Sequence, residues 1–175
     1  MSKTFLMTLN FFNKNFYISF SLVALIYFLD RLTKIFVIHL DKNSLESDIF
    51  SSAYLNIILI WNKGIAFGLF SFDKSHLYNI LSLIIAIIIV ILVTMSLKSQ
   101  GFKRYSLLMI IGGALGNLHD RIFSKAVPDF IDFHVGNFHW FIFNVSDIFI
   151  TLGVISMIVI ELVDNKNEKN NDKKN

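Results

Sequence analysis

The chain has 175 residues, of which 54% are apolar, 15% aromatic and only 17% charged, with a net charge of +3 and a mean hydropathy of +0.60. One proline and no cysteine exclude collagen-like and disulfide-stapled classes, thiolate metal sites and cysteine nucleophiles. The charge is too small and too scattered to argue for nucleic acid, so the question is whether the apolar residues build one core or several membrane spans.

In chain order, the first candidate span runs from Phe16 to about Ile38 and carries Asp30-Arg-Leu-Thr-Lys34 inside it. No small-x-small cleavage site follows it, which argues against a signal peptide. Next, Tyr54-Leu-Asn-Ile-Ile-Leu-Ile-Trp61 is β-branched and aromatic and ends at Asn62-Lys-Gly64, predicting a strand and turn. From Ser75 to Leu97 there are 23 residues without a charge, more than the ~20 needed to cross a hydrocarbon core. That stretch has no polar face, as a soluble core helix would.

A third span, from Tyr105 to about Phe123, contains Ile111-Gly-Gly-Ala-Leu-Gly-Asn-Leu-His-Asp-Arg121. Its glycines suit close helix packing, which leaves Asn117, Asp120 and Arg121 at membrane depth without an explanation. Pro128 discourages a helix from continuing into Asp129. Phe130–Val135, Gly136-Asn137 and Phe138–Trp140 then predict a hairpin. The fourth span is expected from about Phe141 to Ile160, and residues 164–175 form a polar, disordered tail. The predicted fold class is therefore an all-α polytopic membrane protein, with four transmembrane helices and a small antiparallel β element on the outer face. Residues 1–163 are read as one integral membrane domain.

Residues 1–15, 98–104 and 161–175 together hold nine Lys or Arg in 37 residues, against seven in the 74 residues of 30–75 and 120–147. By the positive-inside rule both termini are cytoplasmic and residues 41–74 and 124–140 face out. Helical rise then lifts Asp30, Asp120 and Asp147 to a similar level, roughly 20–22 Å from the cytoplasmic start of their spans. Charges at such depth are usually paired or functional. The plainer explanation is local pairing, Asp30 with Lys34 and Asp120 with Arg121. It leaves Asp147 without a nearby cation.

Taken together, Asp30-Arg-Leu-Thr-Lys34, Asn62-Lys-Gly-Ile-Ala-Phe-Gly68, the Gly112–Arg121 element, Val127-Pro-Asp-Phe-Ile-Asp-Phe133 and Phe143-Asn-Val-Ser-Asp147 resemble the lipoprotein signal peptidases, the type II signal peptidases of bacteria. Ser146 stands where that family usually has alanine. The resemblance implies an aspartic endopeptidase of the bacterial plasma membrane that removes signal peptides from diacylglyceryl-modified prolipoproteins, cutting before the lipidated cysteine. It maps the catalytic pair to Asp129 and Asp147. Asn62, Gly64, Asn117, Asp120, Arg121 and Asn144 match residues that shape the site, and Asp30 and Lys34 match a further polar element. Its partners would be the lipid-modified substrate and membrane lipid, with no nucleic acid, acting as a monomer and with no cofactor or metal.

The chemistry is coherent on its own terms. Two carboxyls sharing a site do not both ionise easily, so one keeps a proton while the other activates water. Asp132 and Asp120 compete for the partner role; in a regular strand Asp132 points away from Asp129. No His-Glu-x-x-His and no Gly-x-Ser-x-Gly occurs. His134 and His139 flank the predicted turn among aromatics, which reads as interfacial packing rather than a zinc site. The alternative is a small proton- or ion-coupled transporter built on an intramembrane Asp cluster, but the paired broken-helix repeat it would need is absent.

Overall fold

The computed structural model describes residues 14–43, 48–64 and 75–172. Residues 65–68, the end of the Asn62–Gly68 motif, lie outside the described residues. The elements are α1 (Lys14–Asn43), β1 (Phe50–Ser51), β2 (Leu55–Asn62), α2 (Ser75–Lys98), α3 (Gly101–Phe123), β3 (Val127–Val135), β4 (Phe138–Phe143) and α4 (Val145–Asp172). The chain is thus mostly helical, with one four-stranded antiparallel sheet in the order β1-β2-β3-β4.

The strand after the first helix and the Gly136-Asn137 hairpin form as expected, with Gly136 at φ 57. Two boundaries differ from expectation. Residues 141–143 complete β4 instead of opening the fourth span, because Phe143 pairs with Ile131 and the helix waits for its cap at Asn144. At the other end α4 continues to Asp172, past the expected end at Ile160 and into the polar tail. Glu and Lys are good helix formers, so the polar sequence does not oblige the helix to stop there.

Among the described residues, two helical segments are long and apolar enough to cross a membrane, Tyr78–Lys98 with a mean hydropathy of 3.1 and Val145–Asp164 with 2.1. α1 has the opposite arrangement from a soluble helix. Ile26, Asp30, Lys34 and Val37, on one face at spacings of four, four and three, are buried. Leu25, Phe28, Leu32, Ile35 and Phe36, on the other, are more than half exposed. The charges therefore face the protein and the large apolar side chains face its surroundings.

Helices α1, α3 and α4 converge because α3 has no side chain where they meet. A Cβ on Gly116 would collide with the Ser146 hydroxyl and the Asp30 carboxyl, and one on Gly113 with the Ser146 carbonyl. Ile89, Leu108 and Ile111 form the apolar centre beside this contact, packed against Leu22, Val23 and Leu92. The Ser146 hydroxyl is buried without a hydrogen-bond partner among the described residues, and an unpaired buried hydroxyl costs roughly 1–3 kcal/mol. Ser146→Ala should therefore raise the thermal unfolding midpoint in detergent. Gly116→Ala should lower it, an overpacking cost of about 1–3 kcal/mol.

Candidate active site

The site begins with a buried lysine. Lys34 Nζ donates to Asp30 Oδ2 at 2.8 Å, Asp120 Oδ2 at 2.7 Å and Asn117 Oδ1 at 3.0 Å. Arg31 adds contacts to Asp120 at 2.6 Å and Asp30 at 3.2 Å. Asp120 thus pairs with Arg31 and Lys34 of α1, not with its sequence neighbour Arg121, which corrects the local-pairing expectation. The reason lies in the partners at hand: Lys34 and Arg31 of α1 face Asp120, while the Arg121 guanidinium is turned to other groups. Arg121 instead donates to the carbonyl of Gly64 at 2.8 Å and lies over the Tyr78 ring, 5.5 Å from its centroid.

From Lys34 the contacts run outward through asparagines. Asn117 Nδ2 donates to Asp147 Oδ1 at 2.8 Å. The Asp147 backbone N–H donates to Asn144 Oδ1 at 3.2 Å, and the Asn144 N–H donates back to Asp147 Oδ2 at 3.1 Å. That reciprocal pair is a capping box with Asn144 as N-cap and Asp147 at N3, and it starts α4. Asn144 Nδ2 also donates to Asp129 Oδ1 at 2.6 Å, so one side chain touches both candidate aspartates. Asp129 Oδ2 accepts from Asn62 Nδ2 at 3.0 Å, and Asn62 Oδ1 accepts from the Gly64 N–H at 2.9 Å. The Asp30 carboxyl closes the circuit by accepting the Ser146 N–H at 3.0 Å, in the first turn of α4.

The ten candidate residues are therefore joined through hydrogen bonds and ion pairs. Sequence reasoning gave no role to Arg31 or to the Ser146 backbone. Asp132 is buried elsewhere, held by Asn56 at 3.2 Å and His139 at 2.8 Å. Strand alternation puts it on the other face of β3 from Asp129, as the strand reading expected.

Asp129 and Asp147 line one cavity of about 310 Å³, shared with Asn117, Arg121 and Thr151. Asp129 also borders a second cavity of about 540 Å³ beside Trp61, Lys63 and Trp140. This position, at the junction of two cavities, suits a group that meets an extended chain. Burial, and secondarily the Asp147 charge, push the Asp129 carboxyl from 3.8 up to about 6, against the opposing hydrogen bonds from Asn62 and Asn144 and the attraction of Lys34.

Because its folded-state value is raised, the native protein holds this proton more tightly than the unfolded chain does. The penalty for ionising Asp129 is absent below about pH 4 and fully present above about pH 6, roughly 3 kcal/mol at its largest. Asp129→Asn cannot ionise. Its thermal midpoint should gain on the parent's as pH rises from 4 to 7; a constant offset would contradict this assignment.

Residues 22–163 match the family described as signal peptidase (SPase) II. A protein of Pelagibacter ubique (strain HTCC1062) named lipoprotein signal peptidase is 48% identical over 160 residues, covering 91% of this chain and 96% of that protein. Another of that name, from Anaplasma phagocytophilum (strain HZ), is 43% identical over 137 residues, covering 77% and 85%. A bacterial membrane enzyme solved by the in meso method at 2.3 Å resolution superposes with a TM-score of 0.69 at 29% identity, covering 85% of this chain and 90% of that one. By its sequence from Leu22 to Val163 and by its fold, the chain belongs to the signal peptidase II family of aspartic peptidases.

Proposed function

We propose that this protein removes signal peptides from diacylglyceryl-modified prolipoproteins, cutting before the lipidated cysteine with a water activated between Asp129 and Asp147. The observation that carries the mechanism is the pair of carboxyls on one cavity wall, bridged by Asn144. One carboxylate takes a proton from water as its oxygen attacks the scissile carbonyl carbon. The protonated partner donates to the carbonyl oxygen. The tetrahedral intermediate then collapses: the C–N bond breaks, the leaving amine takes the proton that the first carboxyl received from water, and the carbonyl oxygen returns its proton to the partner. Every bond is made by water and two carboxyls, so neither a covalent intermediate nor a metal is required. Which aspartate holds the shared proton belongs to the pair as a unit.

All four long helices cross the bilayer in this proposal. α1 and α3 span despite their charges because those charges pair inside the protein, as Asp30, Arg31, Lys34 and Asp120 do. The excess of Lys and Arg on the segments 1–15, 98–104 and 161–175 puts both termini in the cytoplasm and the sheet outside. The sheet and the bend before β2 expose Phe138, Trp140 and Tyr54, side chains suited to the membrane interface. A diacylglyceryl group would hold the scissile bond at the level of Asp129, each buried methylene adding about 0.8 kcal/mol of anchoring.

Asp129→Asn or Asp147→Asn should reduce cleavage of a lipidated prolipoprotein by several orders of magnitude, the usual loss for a member of a catalytic unit. Asp132→Asn should retain substantial activity and insert normally. Near-parental cleavage by Asp129→Asn, with loss in Asp132→Asn, would mean the pair is misassigned. Mass analysis of products should show little cleavage of the unlipidated precursor; equal rates on both forms would remove the anchoring role. The chain has no cysteine, so single cysteines report topology without background. Position 43 should label from outside and position 100 from inside, and the reverse pattern would overturn the orientation.

A further inference from the structure

Away from the aspartate pair, the β3–β4 hairpin gathers a second set of ligand-type side chains. Asp132 and His134 are two residues apart on β3 and so share a face. His134 and His139 are directly opposed partners across the strands, their rings stacked with centroids 5.1 Å apart. One ligand-type atom from each of Asp132, His134 and His139 lies within 4.8 Å of the other two. The register shift between Asp132 and His134 gives β4 one extra residue and brings His139 opposite His134, onto the face that Asp132 shares.

Packing alone leaves two atoms of this cluster unexplained. Asp132 is fully buried, yet only its Oδ2 is used, by Asn56 and His139. Its Oδ1 has no hydrogen-bond partner among the described residues, and neither does the buried Nδ1 of His134. Buried polar atoms are rarely left unsatisfied. A carboxylate oxygen and an imidazole nitrogen with nothing to bind, beside a second, half-exposed imidazole, form a donor set for an ion.

We propose that Asp132, His134 and His139 form a binding site for a divalent transition metal of zinc's class, on the outer side of the sheet and separate from the Asp129–Asp147 chemistry. Two imidazoles and one carboxylate are a common zinc donor set, completed by water. Tetrahedral bonds of about 2.0–2.1 Å put ligand atoms roughly 3.3 Å apart, so atoms now within 4.8 Å of one another need to close by at most about 1.5 Å. His139 can supply that movement, since its side chain is 54% exposed near the Gly136-Asn137 turn. Asn56 acts as the outer partner that orients Asp132, the role such groups commonly play around metal ligands. An ion here would tie β3 to β4 beside the cavity that His139 and Asp129 both border. It would also raise the thermal midpoint, with the logarithm of metal concentration once that exceeds the dissociation constant.

The test uses the tag-free full chain in detergent, titrated with Zn²⁺ by calorimetry and with Co²⁺ by visible absorption. The proposal expects one equivalent bound, with the d–d bands of a tetrahedral or five-coordinate nitrogen–oxygen site. His134→Gln and His139→Gln should each weaken binding by at least about tenfold, the loss that even outer-shell partners produce. His119→Gln, whose ring instead contacts Tyr27, should not. Imidazole ¹⁵N spectra of the unaltered protein supply a measurement that does not depend on variants: Zn²⁺ should shift two of the five histidines. No saturable binding, binding indifferent to both His134 and His139, or fewer than two shifted imidazoles would overturn the site.

Discussion

A lysine ammonium almost completely buried among two aspartates is the constraint around which the rest is arranged. Lys34 is 1% exposed, and an uncompensated charge there would cost several kcal/mol. Asp30 and Asp120 compensate it and are shared with Arg31, so that two positive charges face two negative ones. Removing one partner of such a cluster is typically worth 3–5 kcal/mol, so α1 and α3 are locked in one register. Asp30 extends the lock to α4 through the Ser146 N–H, and Gly116 allows the three backbones to come that close.

The three asparagines carry this order outward, each using its amide in both directions. Asn117 accepts from Lys34, which has only protons to give, and so must turn its NH₂ toward Asp147. Asn144 accepts the Asp147 N–H and donates to Asp129. Asn62 accepts from Gly64 and donates to Asp129. Asp129 is thereby surrounded by donors that favour its ionised form, while burial opposes ionisation. At Asp129 burial prevails. A carboxyl poised near neutrality beside a second one is the condition that general acid–base chemistry requires.

Much of this was legible in the sequence because membrane depth is a strong filter. Ser75–Lys98 could hardly be anything but a long apolar helix, and charges at the level of Asp30, Asp120 and Asp147 stood out against a greasy background. What escaped was set by neighbours distant in sequence. The pairing of Asp120 with Arg31 joins two helices and leaves no local trace, whereas adjacency suggested Arg121. The sequence puts the start of the fourth span only near Phe141, whereas the helix begins at Val145, because aromatic residues suit both a strand and a span. Yet Asn144 followed three residues later by Asp147 was a readable capping signal. Two-residue β1 has no signature of its own, and the meeting of Asp132 with His139 depends on a strand irregularity.

In the proposed mechanism Asp129 and Asp147 work as one device, joined through Asn144, and not as two separate contributors. The most direct measurement is the residual cleavage of a lipidated prolipoprotein by Asp129→Asn, Asp147→Asn and the double variant, compared at equal, saturating substrate. If the pair is a unit, the double variant should be little slower than either single one, because the first loss already removes the shared proton relay. Losses that multiply in the double variant would contradict the account, as independent residues would then be supplying independent fractions of the rate.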